Sequence, residues 1–147
     1  MTENIQEILE AMIPKRLDDI IRQNRHRAQL YMTTDEQIME LHHQIVPNEP
    51  KDIMDHWSFI TLHIINHPIA QIMLLGDIRG TTVTRLTSLV KQIDLDRQLV
   101  ITNSGSLYRL GTQQQGEPNT DQLMAICAVF HGWGFGEYLG VPHFLFS

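Results

Sequence analysis

The chain has 147 residues, 42% of them apolar and 19% charged, with a formal net charge of −6. This length and balance fit one domain with a real core and exclude a chain that is disordered throughout. No apolar run reaches the roughly 18 residues that a membrane span requires. The start, Met1-Thr2-Glu3-Asn4, lacks the basic-then-apolar pattern of a secretory signal. A single cysteine, Cys127, excludes an intrachain disulfide and fits a reducing compartment. Together these features predict a cytoplasmic protein with no membrane contact.

In chain order, Ile5, Ile8, Leu9, Met12 and Ile13 recur at helical spacing, with Asn4 and Glu7 placed as a capping box. Pro14 interrupts that helix. Leu17, Ile20, Ile21 and Ala28 then share one face of a second helical stretch. Thr33-Thr34-Asp35-Glu36-Gln37 reads as a new N-terminal cap, followed by an apolar stripe of Ile38, Leu41 and Ile45. Pro47 and Pro50 end the helical part, residues 1–46, and residues 47–51 read as a linker.

Residues 52–111 read as a sheet. A short helical turn is expected to lead into a strand from about Trp57, because β-branched and aromatic residues precede the breaker Asn66-His67-Pro68. Gln71 to Ile78 pairs back across that breaker, and Gly76 within it marks a bulge. Thr81 to Ile93, Leu99 to Thr102 and Ser106 to Leu110 supply further strands, joined at Asp94-Leu95-Asp96-Arg97 and Asn103-Ser104-Gly105. Short connections between consecutive strands predict an antiparallel meander of about five strands. Asn119 and Gln122 then cap a final helix whose stripe is Leu123, Ile126, Cys127 and Phe130. After Gly132 and Gly134 comes an aromatic tail, Trp133, Phe135, Tyr138, Phe144 and Phe146, that must pack or meet a partner. The expected fold class is therefore α+β in a single domain, 1–147: N-terminal helices, the meander, and a C-terminal helix packed on the sheet (119–147).

No pattern in this chain specifies a reaction. The eight histidines include the adjacent His42 and His43, which on a helix point about 100° apart. His56, His63 and His67 surround the first expected strand, where the odd separation of His56 and His63 puts them on opposite faces. None of these falls into a zinc spacing, so no metal and no cofactor is expected. Cys127 lies on the buried stripe and reads as a small hydrophobe, with His131 one turn away. The run His131-Gly132-Trp133-Gly134-Phe135-Gly136 follows a helix, the wrong order for a phosphate cradle, and reads better as a contact loop.

Charge is unevenly spread. Asp35, Glu36, Glu40, Glu49, Asp52, Asp55 and Asp77 face Lys51 alone between residues 33 and 77, whereas Lys15, Arg16, Arg22, Arg25 and Arg27 cluster earlier. The acidic majority disfavours nucleic acid and favours a basic protein partner. Two binding surfaces are expected: an acidic face of Asp35, Glu36, Glu40, Asp52 and Asp55, and an aromatic loop of Trp133, Phe135 and Tyr138.

Three segments carry a resemblance: Leu75-Gly76-Asp77-Ile78-Arg79-Gly80, Leu86-Thr87-Ser88-Leu89-Val90, and Val100 to Gly111 with Tyr108-Arg109-Leu110-Gly111 at its end. Over about a quarter of the chain they resemble a β-meander module of small uncharacterised proteins from bacteria and their mobile elements, in which a proline usually stands where this chain has Leu89. The resemblance implies a prokaryotic or phage setting and no particular activity. The reading that results is a non-enzymatic inhibitor or immunity-type protein that binds a larger bacterial protein, such as a defence nuclease or a toxin. The alternatives are a histidine-centred, metal-assisted enzyme and a regulatory homodimer joined through the C-terminal aromatics.

Overall fold

A computed structural model describes residues 4–143. Phe144 and Phe146, at the end of the expected aromatic tail, lie outside the described residues. Asn4 accepts from the Gln6 amide and caps helix α1 (Ile5–Met12), and the short helix α2 (Leu17–Ile20) follows. A 3-10 turn (Arg22–Asn24) leads directly into strand β1 (Ala28–Met32). The expected second helix is thus cut short, and Ala28 belongs to a strand. The N-terminal part is not wholly helical, because Ala28–Met32 gain a complete ladder against residues 60–64. Helix α3 (Asp35–Glu40) is bracketed by reciprocal bonds between Thr34 and Gln37, and it ends before Ile45.

The sheet consists of β2 (Asp52–Ile64), β3 (Gln71–Ile78), β4 (Thr84–Asp94), β5 (Leu99–Thr102) and β6 (Leu107–Leu110), with β1 on the outer edge of β2. The strands from β2 to β6 run antiparallel in sequence, and β6 then pairs with β2. Parity dictates the geometry of that last contact. In a ring of five alternating strands the first and fifth run the same way, so the junction is parallel: Asp52, Ile53 and Met54 against Tyr108, Arg109 and Leu110. The expectation of a purely antiparallel meander is corrected at this one seam, which closes the sheet into a barrel.

Closure requires bent strands, and bulges supply the bends. Between Asp55↔Asp77 and Ser58↔Leu75, β2 carries one residue more than β3. His56 takes up the extra length at φ +50°. Gly76 does not form this bulge but stands opposite it, where an added Cβ would lie 3.1 Å from the Asp55 carbonyl. The bulge also reverses which face each residue meets: Met54 points into the barrel before it, Trp57 and Phe59 after it. The strand begins at Asp52, and no helical turn precedes Trp57.

Two apolar clusters result. Inside the barrel lie Met54, Trp57, Phe59, Leu74, Val90, Ile93, Val100 and Tyr108, with Ile38 and Leu41 packed at one end. Outside, Leu17, Ile20 and Ile21 join Leu30, Ile60, Leu62, Met73 and Leu75 beneath helix α4 (Thr120–Gly132). β2 and β3 are covered on both faces, which is why their sequences read as nearly continuous apolar runs. α4 starts where expected, with reciprocal bonds between Asn119 and Gln122, and it buries Leu123, Ile126, Cys127 and Phe130.

Candidate functional site: the aromatic loop and its apolar cleft

The loop after α4 is held by small residues at close contacts and by polar clamps. Gly134 turns the chain at φ +92°. Gly136 lies against the His131 ring, where a Cβ would fall 2.3 Å from Nδ1. That ring donates from Nε2 to the Val141 carbonyl at 2.9 Å and stacks on His143, with ring centroids 4.1 Å apart. Leu139 and Val141 plug into the outer cluster. From the N-terminal side, Asn24 and Arg27 both donate to the Tyr138 carbonyl, and the Arg27 guanidinium lies 4.6 Å from the Tyr138 ring centre.

This clamping leaves aromatic surface facing solvent. Trp133 is 45% exposed and Tyr138 49% exposed, while Phe135 is half-buried against Phe130 at 5.0 Å. Trp133 and Phe135 form one wall of a cleft of ≈ 250 Å³. Leu62, Met73 and Leu89, one from each of three adjacent strands, together with Gln71 and Ser88, form the rest. These strand residues were not expected to join the aromatic loop. Their only sequence signal is alternation, and the bulges between Met73 and Leu75 and between Val90 and Gln92 hide its phase.

The acidic residues separate by what they are bonded to. Asp35, Glu36 and Glu40 are exposed on α3 and form no ion pair among the described residues. Asp52 instead pairs with Arg85 at 2.7 Å. Asp55 accepts two bonds from Arg79, each 2.8 Å, and one from the Thr112 amide. The Arg79 guanidinium, with that amide, holds the Asp55 carboxyl well below the usual carboxylate range. Gly111 makes room for this knot, since a Cβ there would lie 2.1 Å from the Asp55 carboxylate. Asp52 and Asp55 therefore tie strands together and present neutralised pairs, so that of the five residues of the expected acidic face only Asp35, Glu36 and Glu40 on α3 are free.

Of the histidines expected around the first strand, His56 and His63 lie on β2 and His67 follows it. His56 bonds Asp77 at 3.1 Å, and His63 donates to the His67 carbonyl at the far end of the strand. Among the described residues no three His, Cys, Asp or Glu side chains are grouped to hold a metal ion. Cys127 is buried, which pushes its thiol up to about 12, and the imidazole of His131 is engaged with Val141. Part of the basic cluster is likewise occupied: Arg25 pairs with Asp18, and Arg22 with Asp19 at 3.3 Å. No described helix is long and apolar enough to cross a membrane. No protein-family model matches the chain, and neither the curated proteins nor the solved structures yield a match.

Proposed function

We propose that this chain is a binding module that acts by stoichiometric association with a larger protein, as an inhibitor or immunity-type antagonist of a bacterial target such as a toxin or a defence nuclease. One observation carries the reading: a half-exposed tryptophan stands beside an open apolar cleft, at the start of a loop held by side-chain clamps. Trp and Tyr dominate interface hot spots because they bury large area at small entropic cost. The partner anchors an apolar side chain between Trp133 and Leu89. The free carboxylates of Asp35, Glu36 and Glu40, with the net charge of −6, favour a basic target and accelerate encounter. The bacterial setting rests on the resemblance of the meander and on nothing in the site.

The test is quantitative capture from the native host with the full chain, Trp133→Ala, and the triple reversal Asp35→Lys, Glu36→Lys, Glu40→Lys. Trp133→Ala is expected to lose the enriched partner, and the triple variant to retain it with slower, less salt-sensitive association. Unchanged capture by Trp133→Ala removes the aromatic loop from the interface.

A specific observation favours a second reading, a homodimer joined through α1 and not, as expected from the sequence, through the C-terminal aromatics. Ile5, Ile8 and Met12 on α1 are 72%, 43% and 49% exposed, so an amphipathic helix shows its apolar side to solvent. In that reading a second copy covers α1. Light scattering of the wild type and of Ile5→Ser with Ile8→Ser distinguishes them, since only the dimer changes mass.

A further inference from the structure

We propose that the mouth of the barrel is a second, small-molecule site, selective for an amine carried on a flat apolar body. The outer edge of β2 has two neighbours that diverge. The Thr33 amide bonds the Phe59 carbonyl at 3.0 Å, while the Gln114 amide bonds the Trp57 carbonyl at 3.0 Å. Between these contacts a wedge opens into a cavity of ≈ 450 Å³, bounded by α3, the β4–β5 hairpin loop and the segment after β6. This volume lies in the range of ligand pockets, about 300–1,000 Å³, and barrel mouths are a common place for them.

The lining indicates the ligand's chemistry. Trp57 and Phe59, ring centres 5.5 Å apart at 62°, make an aromatic wall with Ile38 and Leu95. The Trp57 indole N–H is committed to the Gly111 carbonyl at 3.0 Å, so the ring is fixed and offers its surface alone. Gln98, Gln113 and Gln114 line the polar part. Asp35 at the rim is the one charged residue of the lining, and no lysine or arginine accompanies it. A carboxylate without a cation repels anions and favours an ammonium group, and aromatic faces add attraction for the same cation.

Gln98, at the cavity's edge in the β4–β5 loop, holds φ +57°, a left-handed position where glycine is unstrained. Neither it nor the aromatic wall contributes to the protein-docking surface proposed above.

The experiment is an NMR titration of the full chain with tryptamine, tryptophol and indole-3-propionate, which share a ring and differ in end charge. Trp133→Phe removes the only other indole, so the Trp57 resonance is assigned directly. Tryptamine is expected to shift the Trp57 indole and the Gln113 and Gln114 amides saturably, ahead of tryptophol and then indole-3-propionate. Asp35→Asn should weaken tryptamine about threefold to fivefold, the worth of an exposed charge pair, and leave tryptophol unchanged. The site is overturned if the Trp57 resonance does not respond at millimolar tryptamine, or if the anion binds as tightly as the amine.

Discussion

The barrel interior and the layer outside it are both apolar, yet different forces hold them. The interior is assembled mostly from residues 54 to 110, whose strands are joined by short turns and sealed by the β2–β6 backbone ladder. The outer layer gathers residues from Leu17 to Val141, and its last piece is fastened by side chains, Asn24 and Arg27 on Tyr138 and His131 on Val141. Backbone ladders are lost only when a strand leaves, whereas side-chain clamps open singly. The part that carries the candidate docking surface is therefore the part built to loosen first.

The sharpest way to break this comparison is one large truncation in each cluster. Phe130→Ala, in the outer layer, is expected to cost about 3–5 kcal/mol, and Leu74→Ala, inside the barrel, about 2–5 kcal/mol in urea unfolding. Hydrogen exchange separates them. Phe130→Ala should unprotect α2, β1 and α4 while β4 to β6 remain slow, and Leu74→Ala should lower protection throughout. Equal loss everywhere in both variants would show one cooperative core with no division.

A smaller effect follows from Gly136. The alanine Cβ displaces the His131 ring from its site, ending the Val141 bond and the stack on His143. About 1–3 kcal/mol is expected, the usual cost of overpacking. Limited proteolysis should then cut between residues 132 and 141 and spare the barrel. Cleavage within β3 to β5 at the same rate would contradict the clamp.

The barrel's seams predict the pH dependence, the mildest of these effects near neutrality. Asp55 is lowered by Arg79 and the Thr112 amide, and the fully buried Asp94 is also lowered, first by the Ile45 amide. A carboxyl depressed in the folded state stabilises the fold above its unfolded pKa, about 3.9, and that contribution is lost as pH falls below it. The urea midpoint should be flat from pH 7 to about 5 and drop steeply below about 4. Asp55→Asn should lower the plateau and soften the drop. A midpoint that already declines between pH 7 and 5 would contradict this assignment to Asp55 and Asp94.

What the sequence made legible follows the same division. Leu99–Thr102, the turn at Asn103 to Gly105 and Leu107–Leu110 are readable because alternation and turn chemistry are local. The cap at Asn119 and Gln122 is readable for the same reason. β1 was hidden: Ala28 continues the helical spacing of Leu17, Ile20 and Ile21, and only the pairing of Ala28 with Ile64 and of Leu30 with Leu62, more than thirty residues away, makes this segment a strand. The start of β2 was hidden by the bulge at His56, which breaks its alternation. Closure rests on three residue pairs between segments far apart in sequence, and no local pattern encodes it. In the site, Trp133 and Phe135 stood out by type, whereas Leu62, Met73 and Leu89 did not. Asp52 and Asp55 looked like free surface charge because Arg85 and Arg79 reach them only across the sheet.

The docking claim meets its most direct test in site-specific photo-crosslinking from the native host, with Trp133 kept and a benzophenone amino acid replacing Glu137 in the same loop or, separately, Lys91 on the exposed side of β4. The account predicts one dominant adduct of fixed stoichiometry at position 137 and none at 91, competed away by unlabelled wild-type protein and not by Trp133→Ala. Adducts of equal yield at both positions, or a yield at 137 that the wild type cannot compete, would contradict it.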